Sequence, residues 1–170
     1  ALNIAKAHLA ANVWDGSSYG ASARSAVILM RRDYQMTADE RYNNIAQVQG
    51  NIIIDLGGYK ITSYRELMQF NYNAGGSNAT VNIYNGTIEI ADRALVNLLN
   101  QTSTEQSRQD LALKFKNITF CYKAGKAHYQ YLINATDSAA GLCVTTLTFE
   151  ECVIDLTNYG NIKAYNFVIA

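Results

Sequence analysis

The sequence predicts an all-β protein: a short right-handed parallel β-helix of about five coils behind an N-terminal amphipathic capping helix. Three observations predict it. A short block recurs along the chain with its apolar columns preserved, and those columns are rich in β-branched residues. The repeating region lacks helical periodicity. Only the first segment, Ala1 to Val13, places apolar residues at helical spacing, with Leu2, Ala5, Leu9 and Val13 on one side.

The elements follow in chain order. Ala-rich composition supports the first helix, and Asp15-Gly16-Ser17-Ser18 ends it, giving a cap over residues 1–16. Such a cap suits a solenoid, whose first coil otherwise exposes core side chains and an unpaired strand edge. His8 and Trp14 then pack on the cap or face solvent. The coils occupy residues 24–170, and the whole chain, 1–170, reads as one domain.

A loose first copy, Val27-Ile28-Leu29-Met30-Arg31-Arg32-Asp33-Tyr34-Gln35-Met36, precedes four that superimpose without internal gaps. These are Ile54-Asp55-Leu56-Gly57-Gly58-Tyr59-Lys60-Ile61, Val81-Asn82-Ile83-Tyr84-Asn85-Gly86-Thr87-Ile88, Leu113-Lys114-Phe115-Lys116-Asn117-Ile118-Thr119-Phe120 and Leu147-Thr148-Phe149-Glu150-Glu151-Cys152-Val153-Ile154. Alternation leads up to Leu56, Ile83, Phe115 and Phe149, with polar Asp55, Asn82, Lys114 and Thr148 facing outward. It then slips by one residue and resumes on the same face. A slip would turn every later side chain outward unless the chain corners there, and Gly and Asn tolerate the left-handed angles of such a corner. With Leu29, Leu56, Ile83, Phe115 and Phe149 as anchors, the spacings are 27, 27, 32 and 34 residues. A further apolar stretch follows each copy: Leu67–Phe70, Leu95–Leu98, Tyr131–Ile133 and Tyr165–Val168. Each unit is therefore strand, corner, strand, loop, strand, loop. Like columns at such a period call for coils stacked in parallel, right-handed by the crossover rule. The competing architecture is an antiparallel sandwich, for which Asn85-Gly86 is a hairpin signal. The other copies carry no such dipeptide at that place.

With Arg31-Arg32-Asp33-Tyr34-Gln35-Met36-Thr37 and Ile54-Asp55-Leu56-Gly57-Gly58-Tyr59-Lys60-Ile61-Thr62, the chain resembles the pectin-lyase-like right-handed β-helix superfamily. In particular it looks like the short β-helix modules of large bacterial cell-surface and secreted proteins, where strings of the type I-D-L-x-G-Y/H-x-I-T recur. The resemblance covers nearly the whole chain. It implies the fold and an extracellular setting. The superfamily spans polysaccharide lyases and hydrolases, phage tailspikes and adhesins, so it does not fix an activity.

Composition narrows the partners. The 170 residues are 49% apolar and 16% charged, enough for a sizeable core. Fourteen basic and 14 acidic side chains cancel, which excludes a general polyanion binder such as a non-specific nucleic-acid protein. No apolar run is long enough to span a bilayer. The chain begins at Ala1 without a Met, the expectation for a processed or trimmed product. Five N-x-Thr sequons, at Asn78, Asn85, Asn100, Asn117 and Asn134, suit a fold that uses Asn in turns and Thr in strands. Cys121, Cys143 and Cys152 lack metal or redox spacing and read as small apolar side chains; a Cys121–Cys143 bridge stays open.

No catalytic constellation emerges. Calcium binding would need acidic side chains clustered on one outer face. Asp55 has no acidic neighbour in its column, and Glu89 and Asp155 share a column two coils apart, about 9.6 Å, with Cys121 between. Glu150-Glu151 lies at a corner beside Lys116-Asn117, as a solvated ion pair. Glu89 and Asp155 have the separation of a glycosidase pair but no evident source of a raised pKa. His8 and His128 have no local Ser or Cys motif. The reading carries no cofactor, no metal and no catalytic residue. Twelve tyrosines favour binding instead: Tyr84, Tyr122 and Tyr129 are candidate platforms for sugar rings. The apolar terminal strand, with Tyr165, Phe167 and Ile169, is a candidate edge for self-association or for meeting other surface proteins. The expected role is a non-catalytic structural or adhesive module outside the cell; the alternative is a polysaccharide-binding or polysaccharide-cleaving module.

Overall fold

The computed structural model describes residues 13–14, 19–20, 25–37, 50–64, 67–71, 79–91, 95–100, 111–125, 133–137 and 145–159. Its described part is all-β, without a helix. The expected cap, residues 1–16, lies outside it except at Val13 and Trp14. Those two are extended rather than helical: β1 (Val13–Trp14) pairs antiparallel with β2 (Tyr19–Gly20).

Every other ladder is parallel. Strands β3 (Ser25–Leu29), β5 (Gly50–Asp55), β8 (Ala79–Ile90), β10 (Leu111–Tyr122) and β12 (Thr145–Glu150) lie side by side in chain order. Their register steps Ile28 to Ile54, Ile83, Phe115 and Phe149. Beyond the corner the same sheet continues as β4 (Tyr34–Gln35), β6 (Lys60–Thr62), the later halves of β8 and β10, and β13 (Val153–Ile154). This eight-stranded sheet curls as a half-barrel. A second parallel sheet holds β7 (Met68–Asn71), β9 (Val96–Asn100) and β11 (Ile133–Asp137), again in chain order. Met68, Val96 and Ile133 start its shared register, so the third stretch begins where Tyr131–Ile133 was expected to end. Parallel neighbours that follow one another in sequence rule out the hairpin-built sandwich.

One core joins the two sheets. Ile52, Val81, Leu113, Ile83, Phe115, Ile88 and Phe120 pack with Leu67, Leu95 and Val96 in a single cluster. Ser63 helps turn the chain toward the second sheet. Its amide donates to the carbonyl of Glu89 and its buried hydroxyl accepts from the amide of Ala91.

The corners form where alternation slips. Gly57, Gly58, Asn85, Asn117 and Glu151 all have positive φ, between 55° and 85°. One expectation needs correction, that the copies superimpose without gaps. Asp55 pairs with Tyr84 and Lys60 with Thr87, so four residues of the second pass span what Asn85-Gly86 spans in the third. The two additional residues fold Leu56 into the core over Gly86. A Cβ on Gly86 would lie 2.5 Å from Leu56 Cβ and 2.6 Å from the Tyr59 carbonyl oxygen. Gly86 is required there by space and not by its backbone angles. The correction moves two columns. Ile54, not Leu56, stands beside Ile83, and Asp55 stands beside Tyr84, Lys116 and Glu150 instead of Asn82, Lys114 and Thr148. In the first pass Leu29 pairs with Asp55 on the exposed outer face, so it is not an inward anchor; Ile28 and Met30 pack on the core.

Candidate functional site

The corners carry a side-chain ladder. Asn117 Nδ2 donates to Asn85 Oδ1 at 3.1 Å, and Asn85 Nδ2 donates to Asp55 Oδ1 at 3.2 Å. Asp55 Oδ1 also accepts from the amide of Gly57, and the amide of Gly58 donates to the Asn85 carbonyl. Stacked passes bring like corners together, and an amide can both donate and accept along the stack. The ladder is structural. It engages the amide nitrogens of two of the five sequons, Asn85 and Asn117, while Thr87 and Thr119 lie within strands.

Below the ladder on the outer face, Glu150 accepts from Lys114 Nζ at 2.6 Å and from Lys116 Nζ. These two hydrogen bonds hold its carboxyl at about pKa 2, well below the usual range. On the other half of the sheet Cys121 pairs with Glu89, and Asp155 follows Ile154 beside it. Glu89 accepts from Thr62 Oγ1 at 2.9 Å and from Lys60 Nζ at 3.3 Å. Asp155 accepts from the hydroxyl and amide of Thr157, which lower its pKa. A carboxyl held low cannot serve as a general acid, so Asp155 does not fill that role. Burial and then the Glu89 charge raise the Cys121 thiol, keeping it protonated and unreactive. Cys121 and Cys152 are free thiols; Cys143 lies outside the described residues. Among the described residues no three His, Cys, Asp or Glu side chains are grouped to hold a metal ion, and no helix is long and apolar enough to cross a membrane.

Of the tyrosine platforms, Tyr84 is half-buried on the outer face, beside Asp55 and Lys116. Tyr122 corrects the expectation. It is buried, with its ring edge-to-face against Tyr159 at 4.8 Å, and presents no surface to a sugar. Its place two residues after the inward Phe120 on a continuing strand already put it on the core face. Tyr129 lies outside the described residues, as do Tyr165, Phe167 and Ile169 of the expected edge.

The last pass of the stack ends on partly exposed apolar side chains. Phe115 is fully buried, stacked on Phe149 at 5.4 Å and 15°, yet Phe149 itself is 37% exposed. Phe120 is fully buried, whereas Ile154, its partner in the next pass, is 37% exposed. Strands β12 and β13 pair only with β10, so their other edge is unpaired among the described residues. At the opposite end Tyr34, in the same column as Ile154, is 39% exposed, and among the described strands β4 pairs with β6. Sequence reading assigned a cap to the first end and an association edge to Tyr165, Phe167 and Ile169 at the last, but did not single out Phe149 and Ile154, which the last member of each repeat column marks. Comparison of the chain with protein-family models, with curated proteins and with solved structures gave no match.

Proposed function

We propose that the chain is a short right-handed parallel β-helix of the pectin-lyase-like kind. In this reading it serves outside the cell as a non-catalytic structural or adhesive module and associates through the coil at its C-terminal side. One observation carries the proposal. Apolar columns that are fully buried through the third and fourth passes end in solvent at Phe149 and Ile154, on a strand edge paired on one side only among the described residues. An apolar end with unsatisfied edge peptides is a template for a further strand. The polysaccharide alternative loses Tyr122 as a platform.

The test is particle size against concentration, by light scattering with negative-stain imaging of the same samples. Mass that climbs with concentration through end-to-end particles is the expected result, abolished by Phe167→Lys with Ile169→Lys. A monodisperse monomer at every concentration would overturn self-association.

A further inference from the structure

We propose that Asn85-Gly86 is a modification site: the folded chain slowly deamidates itself there, turning a corner amide into a carboxylate and cutting the ladder between the third pass and the second. The proposal is independent of self-association.

Two separate structural demands create the site. Asn85 holds the left-handed angle of its corner, φ 59°, and links Asn117 to Asp55. Gly86 is required by space, since a Cβ there would lie 2.5 Å from Leu56 Cβ. Each residue answers its own demand, and side by side they make the single Asn-Gly pair of the sequence. Asparagine is a thermolabile residue because its side-chain amide can be attacked by the amide nitrogen that follows it. A glycine leaves that nitrogen unshielded by a Cβ and its backbone free to turn. Asn85 is exposed, so water reaches its Cγ.

The step balances with water as the only co-reactant. The Gly86 amide nitrogen gives its proton to solvent and attacks Asn85 Cγ. The new C–N bond closes a cyclic imide, the Cγ–Nδ2 bond breaks, and Nδ2 takes a proton and leaves as ammonia. Water then opens the imide at one carbonyl or the other. The product is an aspartate, or an isoaspartate whose main chain runs through the side-chain carbon.

Neighbouring asparagines show what sets Asn85 apart. Asn82 Nδ2 donates to Asn51 Oδ1 at 2.7 Å, and Asn117 donates to Asn85, so these side chains also join adjacent passes. Asn117 shares the corner geometry, with φ 55°. Yet Asn51, Asn82 and Asn117 are followed by Ile52, Ile83 and Ile118, all buried. A β-branched side chain crowds the attacking nitrogen, and its burial pins the backbone that would have to turn.

The ladder sets the rate and suffers the result. Asn85 Nδ2 donates to Asp55 and its Oδ1 accepts from Asn117, so the leaving nitrogen and the attacked carbonyl are both held until the ladder opens. Conversion replaces the donor by an oxygen, 3.2 Å from Asp55 Oδ1, and sets two carboxylates against each other. Isoaspartate adds a main-chain carbon to β8 where Gly86 pairs with Ile118 and has no room beneath Leu56.

The experiment incubates the full chain in native buffer at mildly alkaline pH and follows each asparagine by peptide mass mapping, with released ammonia assayed in parallel. Asn85 should convert while Asn51, Asn82 and Asn117 stay intact. Asn117→Gly keeps the corner angle and removes the donor to Oδ1, and it should speed conversion about threefold. Ile88→Val lowers global stability without touching the corner and should leave the rate unchanged. Conversion of Asn85 no faster than that of Asn82 would overturn the site. Acceleration in Ile88→Val equal to that in Asn117→Gly would overturn reaction in the folded chain, because only unfolded molecules would then react. Asn85→Asp, which mimics one product, should lower the folding equilibrium constant about tenfold, and by more at low ionic strength. An Asn85→Asp chain as stable as the parent would overturn the claim that the modification cuts the ladder.

Discussion

Asn85 does two things at once. It holds a left-handed backbone angle, φ 59°, and its side chain links Asn117 to Asp55. The two contributions separate by substitution. Asn85→Ala keeps the unfavourable angle, which costs an ordinary side chain about 1–2 kcal/mol, and loses both hydrogen bonds. Asn85→Gly loses the same bonds and relieves the angle, reproducing the Gly57-Gly58 solution of the preceding pass. In urea denaturation the Ala variant should be less stable than the Gly variant by about 1 kcal/mol. Equal stabilities would mean that the backbone angle carries no cost at this corner. The existence of the corners was legible in the sequence because the slip in alternation has only one remedy. The two-residue insertion at Leu56-Gly57 was not. A shift of two leaves every side chain on its own face, so hydrophobic alternation reads the same in either register. The signal that separates the registers is spatial, the room that Leu56 takes above Gly86.

At the scale of one element, β12 is held to β10 by its ladder, by Phe149 on Phe115, and by the Lys114–Glu150–Lys116 clamp. The clamp gives this strand a defined pH response. The folded-state pKa of Glu150 is about 2, depressed from 4.5 by hydrogen bonds from Lys114 and Lys116. A depressed carboxylate stabilises the folded state above its unfolded pKa and loses that contribution as pH falls through the folded value. Stability should therefore decline between about pH 4.5 and 2, and added salt should shrink the effect because all three side chains are exposed. NMR titration of the Glu150 carboxyl checks it: replacing Lys114 and Lys116 with Ala should return the midpoint toward 4.5. A midpoint unmoved by the double substitution would remove the clamp from the account. Sequence reading found Glu150 beside Lys116, since neighbouring passes put like positions together. Lys114 as the second donor was out of reach, because it lies two residues along the strand and reaches Glu150 only by the path of its side chain.

Across the described strands each pass pairs with the pass before and the pass after, an arrangement in which stability should be close to a sum of neighbour terms rather than one indivisible quantity. Strands β8 and β10 have a partner on both edges, while β3 and β12 have one each among the described residues. Side-chain burial follows the same gradient: Val81, Ile88, Leu113, Phe115 and Phe120 are essentially inaccessible, and Phe149 and Ile154 are not. Local opening should therefore begin at the ends, where it breaks one ladder instead of two. Native-state hydrogen exchange on dilute protein should show the slowest amides in β8 and β10 and progressively faster ones through β5 to β3 and from β10 to β12 and β13. Raising the concentration into the range of assembly should then slow the amides of β12 and β13 and leave β8 unchanged. Uniform protection at low concentration would show that the passes unfold as one unit and that the neighbour description is wrong.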